Sequence, residues 1–267
     1  MLINKDTAIS TSKILLVPYS ESHVPVYHEW MKDEDILAAT ASEPLTFSEE
    51  HAMQQSWRTD SDKLTFIACL PISSSDASSR ESESIVVAES DDAEDRMLGD
   101  INLFLTENDE EEEEKEKPST SPTVVGELEL MIASKPHQGH GYGRASLLSF
   151  LNYIVKHEGE ILAEYSGQRA RQGTDNPAAN VPEYQFRYLR VKVGHENHRS
   201  INLFESVGFT KVKEEPNFFG ELELRLSGLV GSSQAQGQGM LDGMMSRYGV
   251  AQYEEMLYST LGSRTSE

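Results

Sequence analysis

Residues 131–148, MIASKPHQGHGYGRASLL, join the end of an apolar strand to the start of an apolar helix through a run of glycines. Gly139, Gly141 and Gly143 let the backbone turn sharply and let a ligand come close to it. The first turn of the helix carries N–H groups without intrahelical partners and the positive end of the helix dipole, which together suit a phosphate or a diphosphate. The segment therefore predicts a strand–turn–helix unit with an anion site at the turn.

This turn differs from the two best-known nucleotide-binding loops. No Gly-Lys-Ser/Thr follows its glycines, as a P-loop requires. The glycine spacing also differs from the dinucleotide fingerprint, and no βαβ unit with a ribose-binding acid follows at the right distance. Taken alone, the turn is compatible with several phosphate-bearing ligands.

The segments on either side of the turn alternate between strand-like and helix-like patterns. The predicted strands cover residues 13–19, 64–70, 97–106, 124–133, 188–193, 209–213 and 218–226. The predicted helices cover residues 21–32, 49–57 with Ser48 as the N-cap, 141–157 and 199–207. Strands that alternate with helices and with some hairpins indicate an α/β domain built on a mixed sheet, here over residues 1–227.

The remaining segments are predicted to be flexible because they contain too little apolar surface to offset the entropy of ordering. The formal net charge of the chain is −22, and residues 72–96 and 107–117 each carry −6 of it. We expect acidic insertions at 72–96, with a short strand at 85–88, and at 106–122. A long loop is expected at 166–186, and a flexible tail with a helix over 240–261 is expected within 228–267.

The composition excludes several classes of function. An acidic surface disfavours binding to nucleic acids and to anionic lipids, and no apolar stretch reaches the roughly 20 residues that span a bilayer. The single Cys69 indicates a reducing compartment. We expect a cytoplasmic protein that acts without membrane or nucleic acid, with the nucleus left open as a location. The histidines near the turn have no zinc-site spacing, so no metal is expected.

Two half-signatures in the right order resemble the GNAT acetyltransferases. Gln138-x-x-Gly141-x-Gly143 resembles the acyl-CoA loop of that family, and residues 197–209, NHRSINLFESVGF, resemble its later segment. The N-terminal half, with LVPYSESHVPVYHEWMKDEDILAATASEPLTF and GDINLFLT, resembles a eukaryotic branch of the family, N-acetyltransferase 9. The resemblance implies the GNAT fold, a mixed, splayed β-sheet flanked by helices, whose central strands admit the pantetheine arm.

The resemblance also implies acetyl-CoA as the donor substrate and an amine as the acceptor. It assigns the oxyanion contacts to the backbone at the end of the central strand, a contact to the pantetheine amide or a bound water to Asn197, and the diphosphate contacts to the glycine turn. The residues implied in donor binding are Met131, Ile132, Ala133, Gln138, Gly139, His140, Gly141, Tyr142, Gly143 and Arg144, together with Asn197. Asn197 is equally compatible with a plain cap or turn.

Glu127 and Glu129 are the candidates for the general base that must take the proton of the attacking amine. They alternate onto one face of the strand below the turn. In many family members a glutamate on this strand is that base, and Glu127 matches the position best by its distance from the turn. The alternative is that both glutamates line a wet face of the sheet.

Three points stay open: one departure from the family pattern, the choice between three functions, and the role of three side chains near the N-terminus. The family often has a tyrosine as the proton donor to the thiolate, and this chain has Phe204 at that position. We therefore weigh an N-acetyltransferase of protein or peptide amines against a weak or inactive GNAT-fold interaction protein associated with the cytoskeleton. An enzyme that acts on a small amine is the third option. The resemblance places Tyr19, His23 and Tyr27 on the acceptor side, and core packing is the alternative for them.

Overall fold

The computed structural model describes residues 1–72, 85–108, 121–173, 182–231 and 233–259. Over these residues ten strands form one sheet in the order β4-β10-β1-β2-β3-β5-β6-β7-β9-β8. The strands are β1 (Thr7–Ser10), β2 (Leu15–Pro18), β3 (Lys63–Cys69), β4 (Ile85–Val87), β5 (Met97–Glu107), β6 (Thr123–Ile132), β7 (Gln185–Gly194), β8 (Thr210–Lys211), β9 (Glu221–Leu226) and β10 (Glu254–Ser259). The helices are α1 (Val24–Trp30), α2 (Glu34–Thr40), α3 (Phe47–Thr59), α4 (Tyr142–Lys156), α5 (Glu158–Gly173), α6 (His198–Ser206) and α7 (Gln234–Tyr248).

The sheet is mixed, as predicted. The β6–β7 and β4–β10 pairs are parallel, whereas the other neighbours pair antiparallel. The predicted strand at 85–88 is confirmed by β4. The prediction that residues 72–96 are flexible is wrong from residue 85 onwards, because Val86, Asp91 and Asp92 are buried. None of the helices in the described ranges is long and apolar enough to cross a membrane.

The sheet separates two apolar cores, because successive side chains of a strand point to opposite faces. On β3, Leu64 and Phe66 join the core under α4, α5 and α7, whereas Ile67 and Cys69 join the core under α1 and α2. On β6 the first core takes Leu128. The opposite face of β6 therefore carries the two glutamates.

Helix α3 begins at a capping box two residues earlier than predicted. The Thr46 Oγ1 accepts a hydrogen bond from the Glu49 N–H at 3.3 Å, and the Glu49 carboxylate accepts one from the Thr46 N–H at 2.8 Å. The predicted N-cap at Ser48 is wrong because the reciprocal partner of the box, a glutamate, stands three residues after Thr46.

The predicted loop at 166–186 is wrong over its first part. Helix α5 continues to Gly173, and its inner side packs Ile161 and Tyr165 into the larger core. Tyr165 also contacts the ring of Tyr184 edge-on, with centroids 5.1 Å apart. Burial of these aromatic rings explains why the helix continues through a polar, glycine-containing sequence. Residues 174–181 lie outside the described residues.

The prediction of a flexible tail from residue 228 is wrong for the described residues up to 259. Helix α7 occupies 234–248 rather than 240–261, and Leu241 and Met245 join the larger core. Strand β10 pairs antiparallel with β1, with Thr7 opposite Leu257. An exposed edge of β1 thus provides the hydrogen-bonding partner that the local sequence does not reveal. Residues 260–267 lie outside the described residues, as do the acidic runs 73–84 and 109–120.

Candidate active site

Strands β6 and β7 separate at the centre of the sheet. Their parallel ladder runs from Thr123 opposite Gln185 to Glu127 opposite Arg190. Within the described residues no pairing follows, although β6 continues to Ile132 and β7 continues to Gly194. The edge of β6 beyond Glu127 is therefore left without a neighbouring strand, which confirms the predicted splay.

The end of β6 supplies the backbone groups predicted to bind the donor. Met131 and Ala133 are buried, and Ile132 is half-buried between them. On the β5 side, a Cβ on Gly99 would stand 1.9 Å from the Met131 carbonyl oxygen, so only glycine fits there. Close approach of β5 on one side fixes the position of this strand end, while its other edge is open.

The glycine turn has the backbone geometry that the sequence predicts. Gly139 has φ +83° and Gly141 has φ +90°, in the region that favours glycine. Gly141 is the N-cap of α4, and no other described atom lies within 4 Å of the position of a Cβ on it. The space in front of α4 is therefore open to a ligand.

The N-terminus of α4 presents unused donors to this space. Ala145 is the first residue of the helix whose N–H has a partner, the Gly141 carbonyl at 3.0 Å. Among the described residues, the N–H groups of Tyr142, Gly143 and Arg144 have none. Three orphan N–H groups at a helix N-terminus form an anion-binding site.

Side chains of neighbouring elements hold the turn in place. The Gln138 Nε2 donates to the Ile132 carbonyl at 2.7 Å, and the Gln138 Oε1 accepts from Arg199 at 3.1 Å. A Cβ on Gly143 would stand 3.5 Å from Leu203 of α6, so helix α4 lies directly against α6. Gln138 thus links β6, the turn and α6, which makes it a structural residue of the loop.

Two other residues of the predicted donor site have different partners. The exposed His140 side chain has its Nδ1 3.0 Å from the Gln138 carbonyl. The Arg144 side chain donates to Ser206 Oγ at 3.2 Å and lies over the ring of Tyr248, 4.4 Å from its centroid. The side chain of Arg144 is thus engaged by α6 and α7, and its backbone N–H is the group that faces the turn.

Glu127 is engaged by two cations. Arg190 Nε donates to Glu127 Oε2 at 2.7 Å, and Lys192 Nζ lies 3.0 Å from the same oxygen. Both cations belong to β7. Arg190 is opposite Glu127 in the last pair of the β6–β7 ladder, and Lys192 lies two residues beyond it. The Glu127 carboxylate is therefore already engaged by two cationic partners of β7. Sequence reasoning did not identify these partners.

Glu129 has the opposite environment on the same face of β6. In the described part of the chain it makes no hydrogen bond or ion pair, and its side chain reaches solvent. Glu129 remains exposed on one side, but partial desolvation by the surrounding protein, followed by the charges of Asp100 and Glu127, raises its pKa to about 7. By its distance from the turn the sequence favoured Glu127, whereas among the described residues the structure pairs Glu127 with two cations and leaves Glu129 without a partner.

The residues of the later segment cap and pack α6. The Asn197 Oδ1 accepts the Ser200 N–H at 3.1 Å and so caps the helix. Phe204 is buried, with its ring 5.3 Å from that of Phe209. A phenylalanine has no proton to give, and here its ring is part of the core.

The three side chains expected on the acceptor side are buried. Tyr19, His23 and Tyr27 are 2%, 2% and 5% exposed, respectively. His23 Nε2 lies 2.9 Å from Asp92 Oδ2 in a closed cluster. Packing is therefore the main role that the structure gives them. Within the described ranges no group of acidic, histidine or cysteine side chains could hold a metal ion.

Comparison with known proteins gives consistent matches. The family profile described as acetyltransferase (GNAT) domain matches residues 13–210. The N-acetyltransferase 9-like protein of Schizosaccharomyces pombe is 38% identical over 238 residues, which cover 85% of this chain and 98% of that protein. The alpha/beta-tubulin-N-acetyltransferase 9 of Homo sapiens is 34% identical over 228 residues, which cover 85% of this chain and 86% of that protein.

Among solved structures, spermidine N-acetyltransferase from Vibrio cholerae in complex with CoA and spermine aligns with a TM-score of 0.49 and 15% identity. The alignment covers 84% of this chain and 99% of that chain. The family profile extends over β6, the glycine turn, α4 and α6, which are the elements that build the site.

Proposed function

The chain belongs to the GNAT acetyltransferase family and is an N-acetyltransferase, and from this premise we propose that it transfers the acetyl group of acetyl-CoA to an amine of a protein or peptide. The donor substrate lies across the opening between β6 and β7. Its diphosphate is bound by the N–H groups of Tyr142, Gly143 and Arg144. The observation that carries this proposal is the splay of the two strands beside an open glycine turn.

Glu129 is the base in this proposal. The nitrogen lone pair of the amine attacks the thioester carbonyl carbon, the C–S bond breaks, and CoA leaves as a thiolate. Glu129 takes up the proton that the amine loses. A base with a pKa of about 7 is well matched to an α-amine, whose pKa is about 8. Glu127 is not given this role because Arg190 and Lys192 occupy its carboxylate.

The thiolate receives its proton from water in this chain. Phe204, at the position where the family often has a tyrosine, is buried and has no acidic proton. The open edge of β6 beyond Glu127 leaves the sulfur within reach of solvent. Loss of a positioned donor lowers the rate, because general acid catalysis by a side chain contributes about a hundredfold or more.

The acceptor in this proposal is the N-terminal or lysine amine of a cytoskeletal protein. Relatives from Homo sapiens and Drosophila melanogaster are named alpha/beta-tubulin-N-acetyltransferase 9. Phe218 and Phe219 are 97% and 81% exposed on a turn before β9. His195, after the end of β7, anchors this turn through a hydrogen bond from its N–H to the Gly220 carbonyl at 2.9 Å. The aromatic pair is placed to contact an apolar side chain of the acceptor.

Calorimetry with acetyl-CoA tests the donor site. We expect binding in the micromolar range, about −8 kcal/mol. Gly141→Asp should abolish it, because the substitution places a carboxylate where the diphosphate binds and forces a side chain into the φ +90° conformation. Gly159→Asp is the matched control, since a Cβ on Gly159 also meets open space but lies at the start of α5. Equal affinity of the two variants would contradict the assigned site.

Acetylation of a peptide library, read by mass spectrometry, tests the reaction. At pH 7, Glu129→Gln should lower the rate by about a hundredfold, and Glu127→Gln should lower it far less. The loss should shrink at pH 9 for α-amine acceptors, whose pKa is about 8, because these amines are then largely deprotonated. If neither variant is slower at pH 7, the base assignment is wrong. If the protein binds acetyl-CoA but modifies no peptide amine, the alternative of an interaction protein is favoured.

A further inference from the structure

Asp100 is a buried carboxylate on the same sheet face as Glu129. It lies on β5, the neighbour of β6, and is 3% exposed. Two donors hold its Oδ2 atom. Tyr27 of α1 donates its hydroxyl at 3.2 Å, and Asn102 donates its Nδ2 at 2.8 Å. A carboxylate that is fixed by two donors in the interior has a defined position and cannot turn away from its neighbours.

The strand register places this pair next to Glu129. Asn102 stands directly opposite Glu129 in the antiparallel ladder, and Asp100 stands opposite Met131. Side chains of directly opposite residues share one face, and the diagonal neighbour two residues along also lies within reach of long side chains. Asp100 is the diagonal neighbour of Glu129. Tyr27, Asp100 and Asn102 therefore form a hydrogen-bonded row that leads from α1 to the ladder position opposite Glu129.

We propose that Asp100, held by Tyr27 and Asn102, is a positioning residue that acts on the reaction through Glu129, by keeping that carboxylate a proton acceptor suited to the acceptor amine. This inference rests on the proposed function. It adds to that function a second carboxylate, which touches neither substrate. Its role is to place one negative charge behind the base at a fixed position.

The charges around Glu129 support this role. Asp100 of β5, Glu127 of β6 and Glu221 of β9 are acidic, and Lys192 of β7 is the one cation among the groups that act on Glu129. Lys192 is already 3.0 Å from Glu127. After desolvation, the charge of Asp100 is the largest cause that raises the pKa of Glu129. Asp100 itself, with its pKa raised by burial to about 6, is mostly ionised at pH 7.

The sign of the effect follows from like charges. An ionised Asp100 disfavours a second negative charge on Glu129, so Glu129 binds its proton more tightly and is a stronger base. Replacement of Asp100 by an uncharged residue removes this repulsion. Glu129 then titrates at lower pH and becomes a weaker base. A carboxylate that only supported the fold would not move the titration of its neighbour.

Carboxyl NMR of the full chain, without substrate, tests the coupling directly. The side-chain carboxyl carbons are labelled with ¹³C and the Glu129 signal is assigned with Glu129→Gln. We expect the Glu129 midpoint near 7 to fall by about one pH unit in Asp100→Asn. Thr65→Val is the matched control. Thr65 is the other ladder partner of Asn102, is equally buried and has no charge. An unchanged midpoint in Asp100→Asn overturns the proposal, as does an equal shift in Thr65→Val.

The pH profile of kcat/KM supplies the second readout. In Asp100→Asn the acidic limb should move down by the same amount as the NMR midpoint, and the plateau rate should fall by about three- to tenfold. If Glu129→Gln is impaired but Asp100→Asn keeps the parent profile, only this inference fails. If Glu129→Gln is fully active at pH 7, the assignment of the base fails, whatever Asp100→Asn shows.

Tyr27→Phe gives an independent variant in case Asp100→Asn folds poorly. It removes one hydrogen bond to Asp100 and keeps the aromatic ring that packs against Tyr19 and Trp30. Without that donor Asp100 is less ionised near pH 7, so the Glu129 midpoint should move in the same direction as in Asp100→Asn but by less. A midpoint that rises or stays fixed in Tyr27→Phe contradicts the proposal.

Discussion

Strand β6 has two parts that share one sequence pattern and differ in their neighbours. From Thr123 to Glu127 it is paired on both edges, and beyond Glu127 the β7 side is unpaired. In the closed part, the carboxylate of Glu127 meets two cations of β7. In the open part, Glu129 makes no ion pair within the described residues, and the charges that act on its pKa are those of Asp100, Glu127, Lys192 and Glu221. The comparison shows that loss of one neighbouring strand leaves the second glutamate of the pattern without an ion pair among the described residues, whereas Glu127 has two.

The largest effect is expected where β5 closes on the open part of β6. Gly99→Val places side-chain atoms on the Met131 carbonyl, because even a Cβ would stand 1.9 Å from that oxygen. We expect a loss of more than about 3 kcal/mol of unfolding free energy, since the backbone of a central strand must move. Urea denaturation measures this loss. A variant as stable as the parent would show that the two strands can separate freely.

Asp92 adds to the comparison a carboxylate that is fully buried. His23 Nε2 lies 2.9 Å from Asp92 Oδ2, and Tyr258 of β10 donates to the same oxygen at 2.6 Å. Burial alone would raise the pKa of Asp92, but these hydrogen bonds outweigh burial and lower the pKa below 3.8. A carboxyl with a lowered pKa stabilises the fold above the pKa of the unfolded chain, and this contribution is lost as pH falls through the lowered value.

Asp92→Asn should therefore cost about 2 kcal/mol at pH 7. The deficit relative to the parent should shrink below pH 4, where the parent also loses its charge. Thermal unfolding from pH 3 to pH 8 measures both effects. If the loss of stability in Asp92→Asn did not change with pH, packing and hydrogen bonding rather than the charge of Asp92 would hold β10 to the segment that contains His23.

A smaller effect of the same sign is expected for the closed part of β6. Glu127→Gln leaves Arg190 and Lys192 without their carboxylate, and Arg190 is only 21% exposed. We expect a loss of about 1 kcal/mol, because solvent still reaches both cations. Chemical denaturation at pH 7 provides the value. Lys192→Gln should cost less than Glu127→Gln, since it removes one of the two ion pairs.

The smallest effect, with the opposite sign, is expected for the open part. The raised pKa of Glu129 means that its ionisation opposes folding, so the parent loses stability as pH rises through about 7. Glu129→Gln should unfold at a slightly higher temperature than the parent at pH 8.5 and at the same temperature at pH 5. The gain stays below about 1 kcal/mol because the side chain is solvated. A lower melting temperature at pH 8.5 would refute the contrast between the two glutamates.

Local sequence signals predicted the parts of the site that depend on one segment. Gly139 and Gly141 have the positive φ angles that the glycine spacing indicated, and α4 begins directly after them. Period-two alternation placed Glu127 and Glu129 on one face of β6. Phe204 was correctly identified as a residue without a proton to donate. These features depend on backbone conformation within a few residues, which local sequence encodes.

Signals between distant segments were missed. Strand β10 follows β1 by about 250 residues and is stabilised by pairing with it. Helix α5 continues through a polar sequence because Tyr165 packs against Tyr184.

One local signal was also missed. The α3 N-cap was predicted at Ser48, although Thr46 and Glu49 form the capping box, and a search for the reciprocal glutamate would have avoided this error.

The sequence by itself determined the strand–glycine–helix unit, the alternation of glutamate and leucine along β6 and the family to which these patterns are similar. It favoured Glu127 over Glu129 only by the distance from the turn, since both have the same residue type and lie on the same face of the strand. Only the tertiary structure shows that their neighbours differ. Glu127 and Arg190 are 63 positions apart in the chain and 2.7 Å apart in the fold. The charge that surrounds a carboxylate, and hence its affinity for a proton, depends on such distant neighbours.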